Sequence, residues 1–440
     1  MSDLDAGWRD FRLLACGQAL SWLGNGFQTV ALATAVVLAG GGPGQLGTVM
    51  AVSVVAMLLA TLFGGVWADR LQPVAVMAVS DVVRLLAAAG TAALFLRPGT
   101  HLLPLCLLTA LASGAGAFFG PAMSSLKPAL VATERRQQAN ATLGLLQTGT
   151  RVLGPAAGGL VVAAFGASTG FAVNAVSFLA SVVSVLLIRV RVERTAPRTG
   201  MLREMGEGWA EIRRRDWLLS GVLAATVYHV ANGIVLVLAP VLAVSTLGGA
   251  RAAGFVVAAE GVGGVVGSAV AMRHRPRHLL TAGWCALLLM ALWPVAFVWP
   301  GTLVAVMAGA ALGYAGLSFF GVSWDTSVQD HVPHGVLARV DSWDFLTSFI
   351  AMPLGSALAG PLSARLGDGP LLLGCAAVLL LASASPLLVS GTRRLTSAEP
   401  TEAVDAVHAV DAVHAVEVVA VPEQTSPLDP AAPAGTITSP

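Results

Sequence analysis

Ala117-Phe118-Phe119-Gly120 and Ser318-Phe319-Phe320-Gly321 stand 201 residues apart in this chain. The same ungapped offset aligns Val131 with Val332, Asn140 with Asp341, Gly154 with Gly355, Gly159 with Gly360 and Gly166 with Gly367. One register held across about fifty residues is better explained by duplication than by chance. The chain therefore reads as two related halves.

Each half is a series of long apolar runs. The 440 residues are 56% hydrophobic and 11% charged, with mean hydropathy +0.78, whereas soluble domains carry about 25% charged residues. So few charges cannot make a surface that faces water all round, so lipid must cover much of it. A helix needs about 20 apolar residues to cross a bilayer. Twelve runs meet or approach that length: 11–39, 45–68, 74–96, 102–126, 139–165, 169–189, 217–245, 252–272, 279–299, 302–324, 343–366 and 369–390. Breaks such as Gly41-Gly42-Pro43, Arg97-Pro98-Gly99 and Trp299-Pro300-Gly301 separate them.

The basic residues orient this map. With the N-terminus inside, 20 of the 25 Lys and Arg fall in inside segments; Arg97, Arg251 and Arg365 lie outside, and Arg84 and Arg151 lie within spans. A basic excess marks the cytoplasmic side. The expectation is an all-α polytopic membrane protein of twelve transmembrane helices in two pseudo-symmetric six-helix bundles, both termini cytoplasmic. Parallel repeats of this kind put a substrate site between the halves near mid-bilayer and work by rocking one half against the other. The organisation expected is a cytoplasmic N-terminus at 1–10, a six-helix bundle at 11–189, a basic linker at 190–216, a second bundle at 217–391 and a disordered cytoplasmic tail at 392–440. The linker holds an interfacial helix around Gly206–Arg215, suited to an anionic leaflet. In the tail, Val-Asp-Ala-Val-His-Ala runs at 404–409 and again at 410–415; metal binding by His408 and His414 is a minor alternative to plain low-complexity sequence.

Several function classes are excluded. A net charge of +1 argues against nucleic acid as a partner. The four cysteines, Cys16, Cys106, Cys285 and Cys375, fall in separate apolar runs with no C-x-x-C pair, so each reads as a small buried hydrophobe. The first run is far longer than the core of a signal peptide and is expected to stay as a span. No P-loop, His-Glu-x-x-His or Gly-x-Ser-x-Gly is present, so neither ATP hydrolysis nor enzyme chemistry is expected. No cofactor and no metal are called for.

After the second span comes Gly64-Gly65-Val66-Trp67-Ala68-Asp69-Arg70-Leu71. It resembles the loop signature of the major facilitator superfamily through Gly65, Asp69 and Arg70; the signature's later glycine and basic residues are replaced by Gln72 and Pro73. The resemblance implies that Asp69 and Arg70 gate, the Asp latching one state against the start of helix eleven, where a helix N-terminus favours a carboxylate. Asp81 and Arg84, three apart on one helix face, fit a second pattern of that family's efflux branch, and the resemblance implies a gating role for them as well. In span five, Gly154-Pro155-Ala156-Ala157-Gly158-Gly159 resembles the Gly-Pro-x-x-Gly-Gly signature of its antiporters, although the upstream glycines are out of register. Glycine admits a close neighbour and Pro155 permits a kink; small-residue packing alone is the competing reading. The likeness covers roughly residues 10–392. It is nearest the siderophore-exporter and macrolide-efflux type of bacterial permease, helped by Gly120-Pro121-Ala122 and Ala139-Asn140-Ala141. It implies a monomer in the bacterial cytoplasmic membrane, surrounded by lipid, moving a small molecule against a proton.

Ionisable groups at membrane depth are costly and so are functional candidates. Arg151 lies halfway along span five and Glu260 about nine residues into span eight. In the resembled fold these helices face each other, so Arg151 is the natural partner of Glu260. Protonating Glu260 would release the pair and bias one of two conformations; a static interhelical pair is the alternative. On span one, Gln18, Ser21, Asn25 and Gln28 recur at spacings of three and four and share one face, expected to line the central cavity, with helix–helix hydrogen bonding as the competing reading. Asn174, Tyr228 and His229 are further cavity candidates. Asp325, Asp341 and Asp344, near the cytoplasmic ends of spans ten and eleven, suit a gate better than a substrate site. Three functions remain: a proton-coupled exporter of amphipathic or lipophilic molecules such as drugs, antibiotics or siderophores; an uncoupled facilitator or lipid flippase; and a non-transporting receptor or scaffold.

Overall fold

A backbone surrounded by hydrocarbon must satisfy its own hydrogen bonds, which leaves helices as the solution for apolar runs of this length. The computed structural model describes residues 3–68, 72–96, 99, 101–131, 135–188, 209–274, 276–332 and 334–396; side chains are described for these except 3–6, 62–68, 128, 137, 334–339, 341–342, 344–346 and 348–350. The long helices are α1 (Asp3–Leu38), α2 (Pro43–Ala68), α3 (Pro73–Leu94), α4 (Leu102–Leu130), α5 (Arg136–Phe165), α6 (Ala167–Leu186), α7 (Asp216–Thr246), α8 (Gly249–Arg273), α9 (Leu279–Val298), α10 (Leu303–His331), α11 (His334–Leu366) and α12 (Asp368–Ala384). A 3-10 turn at Leu288–Ala291 interrupts α9. Among the described residues nine of these are long and apolar enough to cross a membrane. α1 and α5 are as long but are diluted by Gln, Asn, Thr and Arg.

Helix packing repeats with the sequence. α1 packs on α5 and α6, α2 on α4, and α3 on α4 and α6. Shifting every label by six gives the second half: α7 packs on α11 and α12, α8 on α10, and α9 on α10 and α12. The main contacts between halves are α2 on α11 and α5 on α8. The six-helix shift turns one of these pairs into the other, as a two-fold relation requires. Aligned glycines confirm it at the backbone. Gly166 ends α5 at φ 87°, ψ 165° and Gly367 ends α11 at φ 79°, ψ 157°, a region that L side chains rarely adopt. Gly154 presses on the backbone of Leu23 in α1, and Gly355 on that of Val230 in α7.

The outside is apolar. On α4, Leu103, Leu107 and Leu111 are 70%, 57% and 57% exposed, and their four-residue spacing makes one outward stripe. On α6, Val176, Leu179, Val183 and Leu186 do the same. Stripes of this size on every side are expected where lipid is the solvent. Residues 209–214 are helical, with Ile212 fully buried and the Trp209 ring against Trp343 at 5.1 Å. The rest of the predicted linker, and the tail repeat with His408 and His414, lie outside the described residues. The chain stays packed to Leu395, beyond the boundary expected at 391. Thr392 is buried in a short helix, Ser390–Arg394, and the Leu395 carbonyl lies 3.3 Å from the His278 Nδ1. Cys106 and Cys375 are buried as expected; Cys16 and Cys285 are exposed, a correction to the reading of all four as buried.

Candidate functional site

The two contacts between halves seal one end of the molecule. At the end where α2 and α8 begin, Gly44 and Gly47 of α2 lie against Gly360 and Ser356 of α11, and Gly159 of α5 lies against Gly254 of α8. A Cβ on Gly159 would stand 2.8 Å from the Gly254 Cα. Helix axes come this close only where side chains are absent. α5 and α8 stay in touch down to Val152 and Gly261. From there they part, and the wedge between them is a cavity of about 870 Å³ lined by Ala141, Leu145 and Thr148 on one side and Val265, Ser268 and Met272 on the other. The wide end is the one that carries Arg136, Arg273 and Lys127.

Above the wedge, towards the sealed end, a second cavity of about 350 Å³ lies between the halves. Asn25, Thr29, Val257 and Glu260 line both cavities. Glu260 is half-buried, and Tyr314 of α10 lines the larger cavity beside it. Arg151 lines the larger cavity, near enough for its charge to be felt at Glu260. Among the described residues no ion pair joins the two. The expected Arg151–Glu260 partnership is thus one of charges facing a common cavity, with Arg151 exposed to it and Tyr314 as the neighbour on α10. Tyr314 packs edge-on to Trp293 at 5.5 Å. Of the chain's two tyrosines, Tyr314 lines the larger cavity with this carboxylate. Their rarity in a chain of this composition was a signal available in the sequence.

The polar stripe of α1 divides. Asn25 and Gln28 line the smaller cavity, whereas Gln18 and Ser21 are 3% and 1% exposed and face α6. The physical reason is close approach: Gly17 and Gly24 of α1 sit on Ser184 and Ser177 of α6. Gln18 makes the kind of helix–helix hydrogen bond that was the competing reading, and Ser21 is buried on the same face. Gln18 Nε2 donates to Ser181 Oγ at 3.4 Å, and Ser181 Oγ donates to Asp81 Oδ2 at 2.6 Å. Asp81 is wholly buried and pairs with Arg84 at 3.1 Å. Arg84 also donates to Asn25 Oδ1 at 3.4 Å and lies 4.1 Å over the Phe178 ring. One network thus ties α3 and α6 to the cavity wall of α1. Asp81 and Arg84 sit inside the first bundle, not at its surface. Asn174 is buried and donates to Gln28 from behind, outside the cavity lining. Tyr228 is buried and His229 bonds its own helix at the Ala225 carbonyl, 2.7 Å away; neither lines either cavity.

The Gly-Pro-x-x-Gly-Gly stretch sits where three helices cross. Gly154 and Gly158 take the α1 backbone at Leu23 and Phe27, while Gly159 and the Pro155 carbonyl meet Gly254 of α8. Pro155 also lines the larger cavity. Asp69 and Arg70 lie outside the described residues, as do the side chains of Asp341 and Asp344. Asp325 is described and exposed. Sequence reading missed Thr29, Tyr314, Trp293, Met352 and the Ser53–Ser113 hydroxyl pair at 2.6 Å. Among the described residues no cluster of His, Cys, Asp and Glu suits a metal.

The profile described as Major Facilitator Superfamily matches residues 14–355. The multidrug efflux pump Tap of Mycolicibacterium fortuitum is 26% identical over 388 residues, covering 85% of this chain and 94% of its own. A putative bacilysin exporter, BacE of Bacillus subtilis, is 23% identical over 330 residues, covering 72% and 79%. Solved structures share the fold. A peptide transporter superposes with TM-score 0.72 at 13% identity, covering 88% of this chain and 96% of that one. A bacterial homologue of the lysosomal transporter Spinster, in an inward-facing and unoccupied conformation, superposes with TM-score 0.68 at 14% identity, covering 90% and 99%.

Proposed function

We propose that this chain, which belongs to the major facilitator superfamily, exports small amphipathic or lipophilic molecules, drugs, antibiotics or siderophores among them, in exchange for protons. The family is one of transporters and not of enzymes. The observation that carries this reading is the position of Glu260, which lines both cavities just below the glycine seam that closes one end. A group at that crossing can be reached in one conformation from the wide end and, after the halves rock, from the other. Protonated and ionised Glu260 would favour different conformations, which makes the proton a ligand with differential affinity for two states. The direction is supported by the two efflux relatives and by the resemblance of Gly154–Gly159 to an antiporter signature.

With the basic end taken as cytoplasmic, the conformation is open inward, ready to load from the cell. We place the protein in the bacterial cytoplasmic membrane as a monomer with both termini inside, and Asp69, Arg70 and Asp344 at a cytoplasmic gate. The test uses the full chain in proteoliposomes loaded with a self-quenching lipophilic dye. A proton gradient should drive dye movement in the wild type, and Glu260→Gln should move dye at a rate indifferent to the gradient. Dye movement that ignores the gradient in the wild type would replace exchange with uncoupled facilitation.

A further inference from the structure

We propose that Arg84, which lies behind the cavity wall and lines neither cavity, is a positioning residue for substrate selection. It holds the Asn25 amide with its nitrogen turned to the smaller cavity, so that the α1 wall selects lipophilic molecules carrying carbonyl or ether oxygens. The proposal deepens the export reading by naming a substrate class, and it rests on that reading only for what happens to the ligand after it binds.

A guanidinium carries five N–H donors and no acceptor. The Asn25 atom that faces Arg84 at 3.4 Å is therefore the carbonyl oxygen, Oδ1. Arg84 is itself held, by Asp81 at 3.1 Å and by the Phe178 ring that it covers at 4.1 Å. An amide is planar, with its oxygen and nitrogen on opposite sides. Fixing Oδ1 behind the wall thus leaves Nδ2 to the cavities that Asn25 lines. Three residues along α1 the pattern recurs. Asn174 of α6, wholly buried, donates to Gln28 Oε1, and its own Oδ1 accepts from the Ser177 hydroxyl at 3.1 Å. Gln28 lines the smaller cavity and Asn174 does not. Thr29, on the same wall, spends its hydroxyl hydrogen on the Asn25 backbone carbonyl at 3.0 Å. Residues three apart on a helix are neighbours, so two amide NH2 groups stand side by side. Across the space the wall is apolar, with Val49 and Met50 of α2, Leu236 of α7 and Met352 of α11. A ligand oxygen that accepts from the amides satisfies them while its hydrocarbon frame meets the apolar side. A ligand with a CH2 group in that place leaves the donors unpaired, the kind of mismatch that a site rejects most strongly. The volume of about 350 Å³ is at the lower end of pockets that hold drug-sized ligands, about 300–1,000 Å³.

Fluorenone and fluorene share one uncharged tricyclic frame and differ in a single group, C=O against CH2, so they isolate the acceptor. Equilibrium dialysis of the purified full-length protein in detergent, against a protein-free detergent blank, measures both. The expected result is fluorenone binding at least tenfold tighter than fluorene binding. Asn25→Asp keeps the size and the Arg84 contact but turns the donor into an acceptor, and should cut that preference at least threefold. The double variant Asp81→Leu/Arg84→Met frees the Asn25 amide to rotate and should do the same, whereas Arg84→Lys, which keeps a donor-only cation beside Asp81, should preserve the preference. A purely structural Arg84 would change both affinities together and leave their ratio alone. An unchanged ratio in the double variant therefore overturns the positioning role, and equal affinities in the wild type overturn the proposal outright. The wild-type comparison decides even where a variant fails to fold. Proteoliposome transport separates this proposal from the export reading. A preference for fluorenone with no movement of dye sinks export and leaves the selective wall, whereas gradient-driven dye movement by a protein that binds the two compounds alike sinks the wall and leaves export.

Discussion

Gly159 and Gly360, which the internal repeat aligns, hold equivalent places in the two seams between the halves: Gly159 meets Gly254 across α5 and α8, and Gly360 meets Gly44 across α2 and α11. Each seam has a glycine on both sides. A side chain at Gly159, Gly254 or Gly360 would have to displace backbone, which cannot give way as a flexible side chain can; a Cβ on Gly44 would stand at an ordinary 3.7 Å. The seal in this conformation is therefore a property of backbone contact.

Gly159→Val should hold the α5–α8 seam apart. Its Cβ would lie 2.8 Å from both the Gly254 Cα and the Ala250 carbonyl oxygen. Overpacking of this kind costs about 1–3 kcal/mol, so the protein should remain folded with a lowered thermal midpoint. Transport should fall at least tenfold, because the closed end no longer closes. Wild-type transport rates in this variant would mean that the seam does not need to seal.

The Asp81–Arg84 pair is structural in this conformation. Removing one partner of a buried pair leaves an uncompensated charge, at a cost of about 3–5 kcal/mol. Arg84→Met and Asp81→Leu should each destabilise strongly, and the double variant should be more stable than the Arg84→Met single. A denaturation series on the four proteins gives the coupling. Strictly additive effects would show that the pair contributes no interaction.

Tyr314→Phe keeps the ring against Trp293 and deletes a hydroxyl from the cavity wall beside Glu260. A polar group beside a carboxylate changes the balance between its ionised and neutral forms, so the proton dependence of transport should move in Tyr314→Phe with little loss of stability. Rates measured across a pH series, with thermal melts beside them, check this. An unmoved pH profile would assign the hydroxyl a packing role only.

The basic-residue asymmetry predicts which end faces the cytoplasm. With the four native cysteines replaced, Arg251→Cys at the start of α8 should react with an impermeant maleimide added to intact cells. Thr396→Cys, just past the last packed residues, should react only after the cells are opened. The reverse pattern would invert the topology and turn the proposed export into uptake.

Composition, run length and the 201-residue offset were enough to determine the helices, their number and the pairing of halves. Lipid imposes helices on long apolar runs, and duplication carries one packing scheme into both halves. Periodicity could also place Gln18, Ser21, Asn25 and Gln28 on one face of α1. It could not say that α6 covers the first two while the last two reach a cavity, because a face has no meaning until a neighbour is set against it. The same limit applied to Glu260. Its depth marked it as consequential, and its span suggested Arg151 as the partner. Only the packing of α8 on α10 brought Tyr314, 54 positions further along the chain, to the carboxylate, and only the parting of α5 and α8 set Arg151 across open space. Local sequence fixes what each helix can bury; which groups meet across helices depends on crossing points, and here the glycines of different helices decided those together.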